Sequence, residues 1–288
     1  MEVETPILSG AASTDPFLES FISDYDGPGG PRRCYLQTSP EFFMKRLLAA
    51  GSGAIYQIGK AFRNGEMGGQ HNPEFTMLEW YRPGFTHHDL MDEVEALVRM
   101  VLPLPEAKRY SYQALFLEFL NIDPHRASAE SLRNYAQSQK INVSHAGDIN
   151  KDTWLSLLLT HLIEPKLGTE RPVFVYDFPA SQAMLARVSG HRPALAQRFE
   201  LYIGGMELAN GFYELQDDVE QRCRFERDIA DRASMGLATV PMDLCLVEAL
   251  QSGLPDCSGV ALGVDRLLML VTNANDLSEV VSFSFDKV

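Results

Sequence analysis

From His71 to Arg82 the chain reads HNPEFTMLEWYR, and its residues alternate as in a β-strand that buries one face. Successive side chains of a strand point to opposite faces, so Phe75, Met77, Glu79 and Tyr81 are predicted to share one face. A solvated face would explain the carboxylate but not the bulky side chains beside it. The pattern therefore predicts a lined pocket that contains Glu79.

Residues 54–70 precede this strand and read AIYQIGKAFRNGEMGGQ. Ala54–Ile58 has the pattern of a half-buried strand, and the glycines after Asn64 indicate a flexible loop. The segment is therefore predicted to form strand, loop and strand. An ordinary loop histidine would explain His71 taken alone; beside this strand we favour a functional role.

A second polar segment, FELYIGGMELANGFYEL, covers residues 199–215. Glu200 and Glu207 flank a Gly-Gly turn that could bring two strands and two carboxylates side by side. Such a pair suits Mg²⁺, which takes one or two carboxylates together with phosphate oxygens and water. Two solvent-facing strand glutamates are an equally good interpretation of the pair alone. The same strand pattern places three further residues on one face: Asn210, Phe212 and Glu214.

Residues 259–270, GVALGVDRLLML, are typical of a glycine-containing strand that feeds a helix. Arg266 would lie at the start of that helix, and a guanidinium is well suited to hold phosphate. A bulged structural strand is the alternative. The glycines match neither common nucleotide-binding loop, so a nucleotide site would have to be built differently. Glu41 opens another predicted helix, where a first-turn acid favoured by the helix dipole is the simpler explanation.

Helical periodicity dominates the middle of the chain, from about residue 86 to residue 170. Strand patterns return at residues 172–177 and 198–203, and helices are predicted at residues 217–233 and 242–251. In the helix over 217–233, the predicted apolar face holds Val219, Cys223, Ile229 and Ala233. Strands at both ends, without strict βαβ alternation, predict an α+β fold with an antiparallel sheet flanked by helices.

The composition of the 288-residue chain excludes several classes of protein. Hydrophobic residues make up 45% and the net charge is −14, which disfavours a disordered chain and a broadly basic nucleic-acid surface. The most apolar stretch, residues 154–163, is too short to span a membrane. The cysteines form no CxxC pair and the N-terminus has no signal-peptide pattern, so we expect a cytoplasmic protein that does not bind membranes.

Together these segments resemble the catalytic core of class II aminoacyl-tRNA synthetases, in the lysyl-tRNA synthetase branch, from Glu2 to about Ser284. Phe62–Asn64 with His71–Met77 is similar to motif 2, and Gly263–Arg266 is similar to motif 3. Glu4–Pro6 is similar to the end of motif 1. The resemblance implies a single catalytic domain over residues 1–288 with a helical middle section and no anticodon-binding domain.

The resemblance also implies ATP as a substrate, Mg²⁺ as its metal, and a role for each motif residue. Arg63 would contact the α-phosphate and Arg266 the γ-phosphate, with both acting in catalysis. Phe75 would stack on adenine, with His71 and Asn72 nearby. Glu200 and Glu207 would hold the Mg²⁺. The amino-acid pocket would be lined by Glu41, Glu79, Tyr81, Asn210, Phe212, Glu214 and Ala261.

Two positions depart from lysyl-tRNA synthetases. Gly65-Glu66 replaces the glutamate that usually follows Arg-Asn, so neither residue is assigned an adenine contact. Ala261 stands where those synthetases carry glycine, and a resemblance to the members of the family that modify a protein implies that the added methyl group goes with a repositioned substrate amine.

A core without an anticodon-binding domain resembles the members of the family that modify a protein. This implies ATP-dependent activation of (R)-β-lysine, transfer to a lysine of elongation factor P, no stable tRNA binding, and a homodimer. One alternative is a truncated lysyl-tRNA synthetase that charges tRNA or makes diadenosine polyphosphates. Another is a non-catalytic paralogue that senses lysine or ATP, which the intact arginines and the Glu200–Glu207 pair disfavour.

Overall fold

The computed structural model describes residues 1–141, 143 and 149–288. The chain divides into two compact units. Residues 1–86 and 214–288 form one, called here the terminal unit, and residues 87–213 form the other, the middle unit.

The strands are β1 (Leu8–Ser9), β2 (Ile22–Tyr25), β3 (Arg32–Leu36), β4 (Ile55–Phe62), β5 (Glu74–Pro83), β6 (Lys108–Ser111), β7 (Val173–Pro179), β8 (Leu195–Ile203), β9 (Met206–Tyr213) and β10 (Cys257–Gly263). The α-helices are α1 (Glu41–Ala49), α2 (His87–Val101), α3 (Tyr112–Leu120), α4 (Ala129–Ser138), α5 (Lys151–Leu158), α6 (Asp218–Ser234), α7 (Leu244–Gly253) and α8 (Val264–Thr272).

In the terminal unit, β5 lies between β4 and β10 and pairs with both in antiparallel register. Glu79 of β5 is opposite Gln57 of β4 and Ala261 of β10. Because opposite residues of an antiparallel pair share a face, this register determines which side chains surround Glu79. A small separate sheet is formed by β1, β3 and β2. The predicted strand, loop and strand of residues 54–82 is confirmed, as is the strand that feeds α8.

The helices of the terminal unit pack on one another, α1 against α7 and α7 against α6. Both predicted helices after residue 214 are confirmed, but the predicted apolar face of α6 is wrong. Val219 and Cys223 are exposed, whereas Phe225 and Arg232 are buried. Arg232 donates to the Ala238 and Asp15 carbonyls and to the Glu19 carboxylate. Because these partners accept its hydrogen bonds, the charged Arg232 side chain can be buried. A pattern based on hydrophobicity does not predict a buried arginine.

In the middle unit, β8 pairs antiparallel with β7 and β9, and β6 pairs with β7 in parallel. Helices α2 to α5 lie in the section for which helical periodicity was found, and α5 continues into a π-helical turn at Leu159–Ile163. Ser111, Ser128 and Asn150 cap α3, α4 and α5, because their side chains accept the otherwise unpaired first-turn N–H groups. The helices bury Tyr112, Phe116 and Trp154 in a common core with strand β7.

The α+β fold predicted from the sequence is confirmed, with antiparallel strands predominating in both units. Within the described part of the chain, no helix is both long enough and apolar enough to cross a membrane.

Candidate active site

Three glutamates of the terminal unit come together with a lysine and a tyrosine, and this group is called here the carboxylate cluster: Glu41, Lys45, Glu79, Tyr81 and Glu214. Glu41 begins α1, Glu79 and Tyr81 lie on β5, and Glu214 is fixed by the hydrogen bond from its own N–H to the Cys257 carbonyl. The sequence patterns singled out four of these residues. Their assignment as amino-acid ligands stays a prediction.

Strand alternation places Glu79 and Tyr81 on one face, and the Tyr81 hydroxyl donates to Glu79 Oε1 over 2.7 Å. Gly259 lies opposite Tyr81 on β10 and close to the Glu214 carboxylate. A Cβ at position 259 would overlap the Tyr81 ring and lie 2.6 Å from Glu214 Oε1. A side chain at this position would therefore fill the space that Tyr81 and Glu214 occupy.

Lys45 is the residue of the cluster that the sequence patterns missed. Its ammonium nitrogen lies 2.7 Å from Glu41 Oε1 and 2.6 Å from Glu214 Oε2, and its side chain is 1% exposed. Burial alone would lower the pKa of Lys45, but the Glu214 and Glu41 carboxylates raise it above its ordinary value. The Glu-Lys spacing of four along α1 was a signal for the first of these contacts only.

The buried acids of the cluster hold their protons more tightly than ordinary glutamates. Burial and the Glu41 charge raise the pKa of Glu79 to about 8, and one of its oxygens, Oε2, has no hydrogen-bond partner among the described residues. Burial also raises the pKa of Glu214 to about 7, although Lys45 opposes the shift. The Tyr81 pKa is raised by burial and by Glu79, so its hydroxyl stays a donor. An ammonium ligand would supply the positive charge that Glu79 lacks.

The predicted ATP residues of the terminal unit form two contacts. The Arg63 guanidinium lies 5.1 Å from the centre of the Phe75 ring, and the Arg266 guanidinium lies 2.8 Å from His71 Nε2. The fifth predicted residue, Asn72, bonds the backbone instead: its amide donates to the Glu74 carbonyl and accepts from the Phe285 N–H.

Each arginine already has a partner in the motif 2 loop. Arg63 lies 3.8 Å from the Glu66 carboxylate, and Arg266 Nε donates to the Gln70 carbonyl over 3.3 Å. The sequence patterns assigned no contact to Glu66 or Gln70. A phosphate that bound these arginines would replace those long contacts with shorter hydrogen bonds, which a guanidinium can make in pairs.

In the middle unit, the hairpin of β8 and β9 carries the other predicted residues. Glu200 is opposite Asn210, and Glu207 is opposite Tyr202. Gly204 and Gly205 form the turn with φ values of 61° and 75°, a conformation that favours glycine. Phe212 is buried with the Arg198 guanidinium 5.9 Å from its ring centre, and Asn210 Oδ1 has no partner within the described ranges.

Glu200 is buried and has partners at both oxygens, the Arg198 guanidinium and the Tyr202 hydroxyl. Burial and the nearby Glu207 and Glu164 charges raise its pKa to about 7, against the opposing effect of Arg198. The Glu207 charge acts on Glu200, which is consistent with the predicted proximity of these two carboxylates on the hairpin. Their role as metal ligands stays a prediction.

The donor set around Glu200 suits a metal that is bound only in part by protein. The charges that act on Glu200 are those of Arg198, Glu207 and Glu164. No group of three or more histidine, cysteine or acidic side chains among the described residues is arranged to hold a metal ion. Mg²⁺ retains water and phosphate oxygens and takes one or two carboxylates, so a pair of glutamates supplies donors of the kind it binds, with Glu200 giving up its Arg198 or Tyr202 contact.

Comparison with known proteins places the chain in a family. The family model for tRNA synthetases class II (D, K and N) matches residues 1–287. The chain belongs to this family. This confirms the family resemblance carried by the motif 2 and motif 3 residues, and with it an ATP-dependent ligase of the class II synthetase type.

Two curated relatives of this class II synthetase chain have the same name, elongation factor P–(R)-beta-lysine ligase. The protein of Vibrio cholerae serotype O1 is 50% identical over 289 residues, which cover 100% of this chain and 89% of the relative. The protein of Photobacterium profundum is 50% identical over 288 residues, which cover 99% of this chain and 89% of the relative.

Proposed function

We propose that the chain activates (R)-β-lysine with ATP as an aminoacyl-adenylate and transfers it to a lysine side chain of elongation factor P. The observation that carries this proposal is the buried carboxylate cluster within a class II synthetase chain. The names of two relatives, each half identical across nearly the whole chain, support the choice of amino acid and acceptor.

The charge of the carboxylate cluster supports a substrate with two ammonium groups. With every group ionised, three carboxylates and one Lys45 ammonium leave two negative charges. A diamino acid supplies two positive charges, whereas leucine or methionine would leave buried carboxylates without a counter-charge. That difference costs several kcal/mol, on the order of a thousandfold in specificity.

The position of Ala261 supports β-lysine over α-lysine. Ala261 lies opposite Glu79 in the pair of β10 and β5, so its methyl group is on the same face as the Glu79 carboxylate. Lysyl-tRNA synthetases, as the resemblance has it, carry glycine there. One added methyl group beside the acid would favour a substrate whose amine is shifted along the carbon chain.

The proposed reaction has two steps. First, an oxygen of the substrate carboxylate attacks the α-phosphorus of ATP, and pyrophosphate leaves with the electrons of the broken P–O bond. Arg63 and Arg266 would stabilise the charge on the phosphates, and Glu200 and Glu207 would hold the Mg²⁺ that neutralises it further. Second, the uncharged acceptor amine attacks the carbonyl carbon, AMP leaves, and the amine loses a proton.

The acceptor is proposed to be a protein because the chain has a net charge of −14. A tRNA is normally bound through clustered lysines and arginines that neutralise its phosphates. A basic protein loop that presents a lysine would instead be attracted by the acidic surface. We further propose a cytoplasmic homodimer and a single class II synthetase-like catalytic domain over residues 1–288.

The decisive experiment measures pyrophosphate exchange with (R)-β-lysine, α-lysine and leucine, then offers elongation factor P and lysine tRNA side by side. We expect exchange with β-lysine, none with leucine, and a mass increase on elongation factor P that disappears when its modified lysine is changed to arginine. Alkali-labile charging of tRNA without modification of elongation factor P would instead identify a truncated synthetase. Light scattering tests the dimer.

A further inference from the structure

Lys45 is buried in the carboxylate cluster and contacts two of its three acids. It follows Glu41 by one turn of α1, which brings its ammonium to Glu41 Oε1, and it also reaches Glu214 Oε2, far away in sequence. A buried ammonium is stable only when opposite charges compensate it. Lys45 and the two glutamates therefore depend on one another for their charge.

The third acid, Glu79, has a different environment. It accepts the Tyr81 hydroxyl at one oxygen, and the other has no hydrogen-bond partner among the described residues. Within the described part of the chain, Glu79 takes part in no ion pair. Lys45 thus divides the cluster into two acids that it contacts directly and a third acid, Glu79, on which its charge acts only from a distance.

We propose that Lys45 determines the charge that the amino-acid pocket selects, as an internal ammonium that compensates the Glu41 and Glu214 carboxylates and holds them in place. The inference rests on the proposed function, because it takes the carboxylate cluster as the site that binds the diamino acid. Lys45 acts through the two glutamates and is a positioning residue. With it, and once Glu79 has lost its proton, the cluster offers two uncompensated negative charges to two ammonium groups.

The other charged groups near α1 leave this role to Lys45. α7 packs against α1, but its Glu248 is exposed and the Asp243 carboxylate accepts the Leu246 N–H at the start of α7. The charges that act on Lys45 are those of Glu214 and Glu41. On β5, the Glu79 carboxylate and the Tyr81 hydroxyl complete the set.

Removal of the Lys45 charge has a distinct physical consequence. Two nearby buried carboxylates without a cation repel each other, and one of them takes up a proton. A diammonium ligand would then have to displace that proton when it binds. Affinity would fall at neutral pH and recover as the pH rises, because alkaline conditions remove the proton in advance.

The test compares wild type, Lys45→Met and the control Lys60→Met, in which the lysine is 46% exposed on β4. Calorimetric titration with (R)-β-lysine, in buffers of different ionisation heat, gives the dissociation constant and the protons released. For Lys45→Met we expect at least about tenfold weaker binding than for wild type near pH 7. Binding should release about one more proton than in wild type, and the difference in affinity should be smaller near pH 8.5. Lys60→Met should match wild type.

Weaker binding with the wild-type proton count and pH slope would show that Lys45 only fills space, and unchanged binding would also overturn the proposal. If Lys45→Met does not fold, Lys45→Met/Glu41→Gln removes one charge of each sign and should fold, since the missing counter-charge is then the cause. Failure of both variants to fold overturns the proposal. A wild-type protein that binds no diamino acid and supports no pyrophosphate exchange refutes the proposed function itself, and the role of Lys45 with it.

Discussion

Ala261 and Glu79 are direct partners in the antiparallel pair of β10 and β5, so a methyl group lies beside the acid of the carboxylate cluster that has no cation. We expect Ala261→Gly to raise the specificity constant for α-lysine relative to that for β-lysine. A methylene-sized change in such a pocket is worth about 10-fold or more. The ratio of the two pyrophosphate-exchange rates measures this within one protein, and an unchanged ratio would show that Ala261 does not touch the substrate.

Gly259 is required by the cluster, since a Cβ there would overlap the Tyr81 ring and approach Glu214 Oε1. Gly259→Ala should weaken amino-acid binding at least about tenfold and destabilise the fold by about 1–3 kcal/mol, as expected for an overpacked interior. Gly10→Ala is the matched control, because a Cβ at Gly10 meets nothing within 4 Å. Equal dissociation constants and melting temperatures in the two variants would contradict the conclusion that the cluster requires glycine at position 259.

The raised pKa of Glu79, about 8, has a consequence for stability. The folded state binds a proton that the unfolded chain has already lost, so the free energy of unfolding falls as the pH rises from about 4.5 to 8. Glu79→Gln removes this term while keeping the size of the side chain. Relative to wild type, its melting temperature should therefore increase across that range, and its affinity for diamino acids should fall. A difference in melting temperature between the two proteins that is the same at every pH would contradict the raised pKa of Glu79.

Adenylate formation should depend on the predicted phosphate and metal ligands. Glu207→Gln and Arg266→Ala should each lower pyrophosphate exchange about 10² to 10³-fold, the usual loss for one charge-stabilising group, with little change in melting temperature. Chelation of Mg²⁺ should abolish exchange in wild type. Glu226→Gln, at an exposed position of α6, serves as the control. Exchange near the wild-type rate in either variant would remove that residue from the site.

Substitutions on the two faces of α6 should differ in how much they change the stability of the protein. Arg232→Met removes a buried guanidinium that bonds Glu19 and the Asp15 and Ala238 carbonyls, which should lower stability by about 2–4 kcal/mol. Val219→Ser, at a residue 65% exposed, should change stability by less than about 0.5 kcal/mol. Urea unfolding measures the free energy of unfolding of both variants. A larger loss of stability for Val219→Ser than for Arg232→Met would support the apolar face that the sequence predicts.

The sequence by itself determined what depends on neighbours along the chain. Strand alternation placed Glu79 and Tyr81 on one face, the helical spacing found α2 to α5, and the motif residues identified the family. These features follow from backbone periodicity and local turn chemistry, which a few consecutive residues specify.

The tertiary structure alone decided the contacts between distant segments. It brought Lys45 of α1 to Glu214, set the register that places Ala261 beside Glu79, and buried Arg232 where an apolar face was predicted. Each depends on which strands pair, in what register, and which helix covers them. Only the folded chain brings together the partners that stabilise a buried charge, because residues next to it in sequence do not supply these partners.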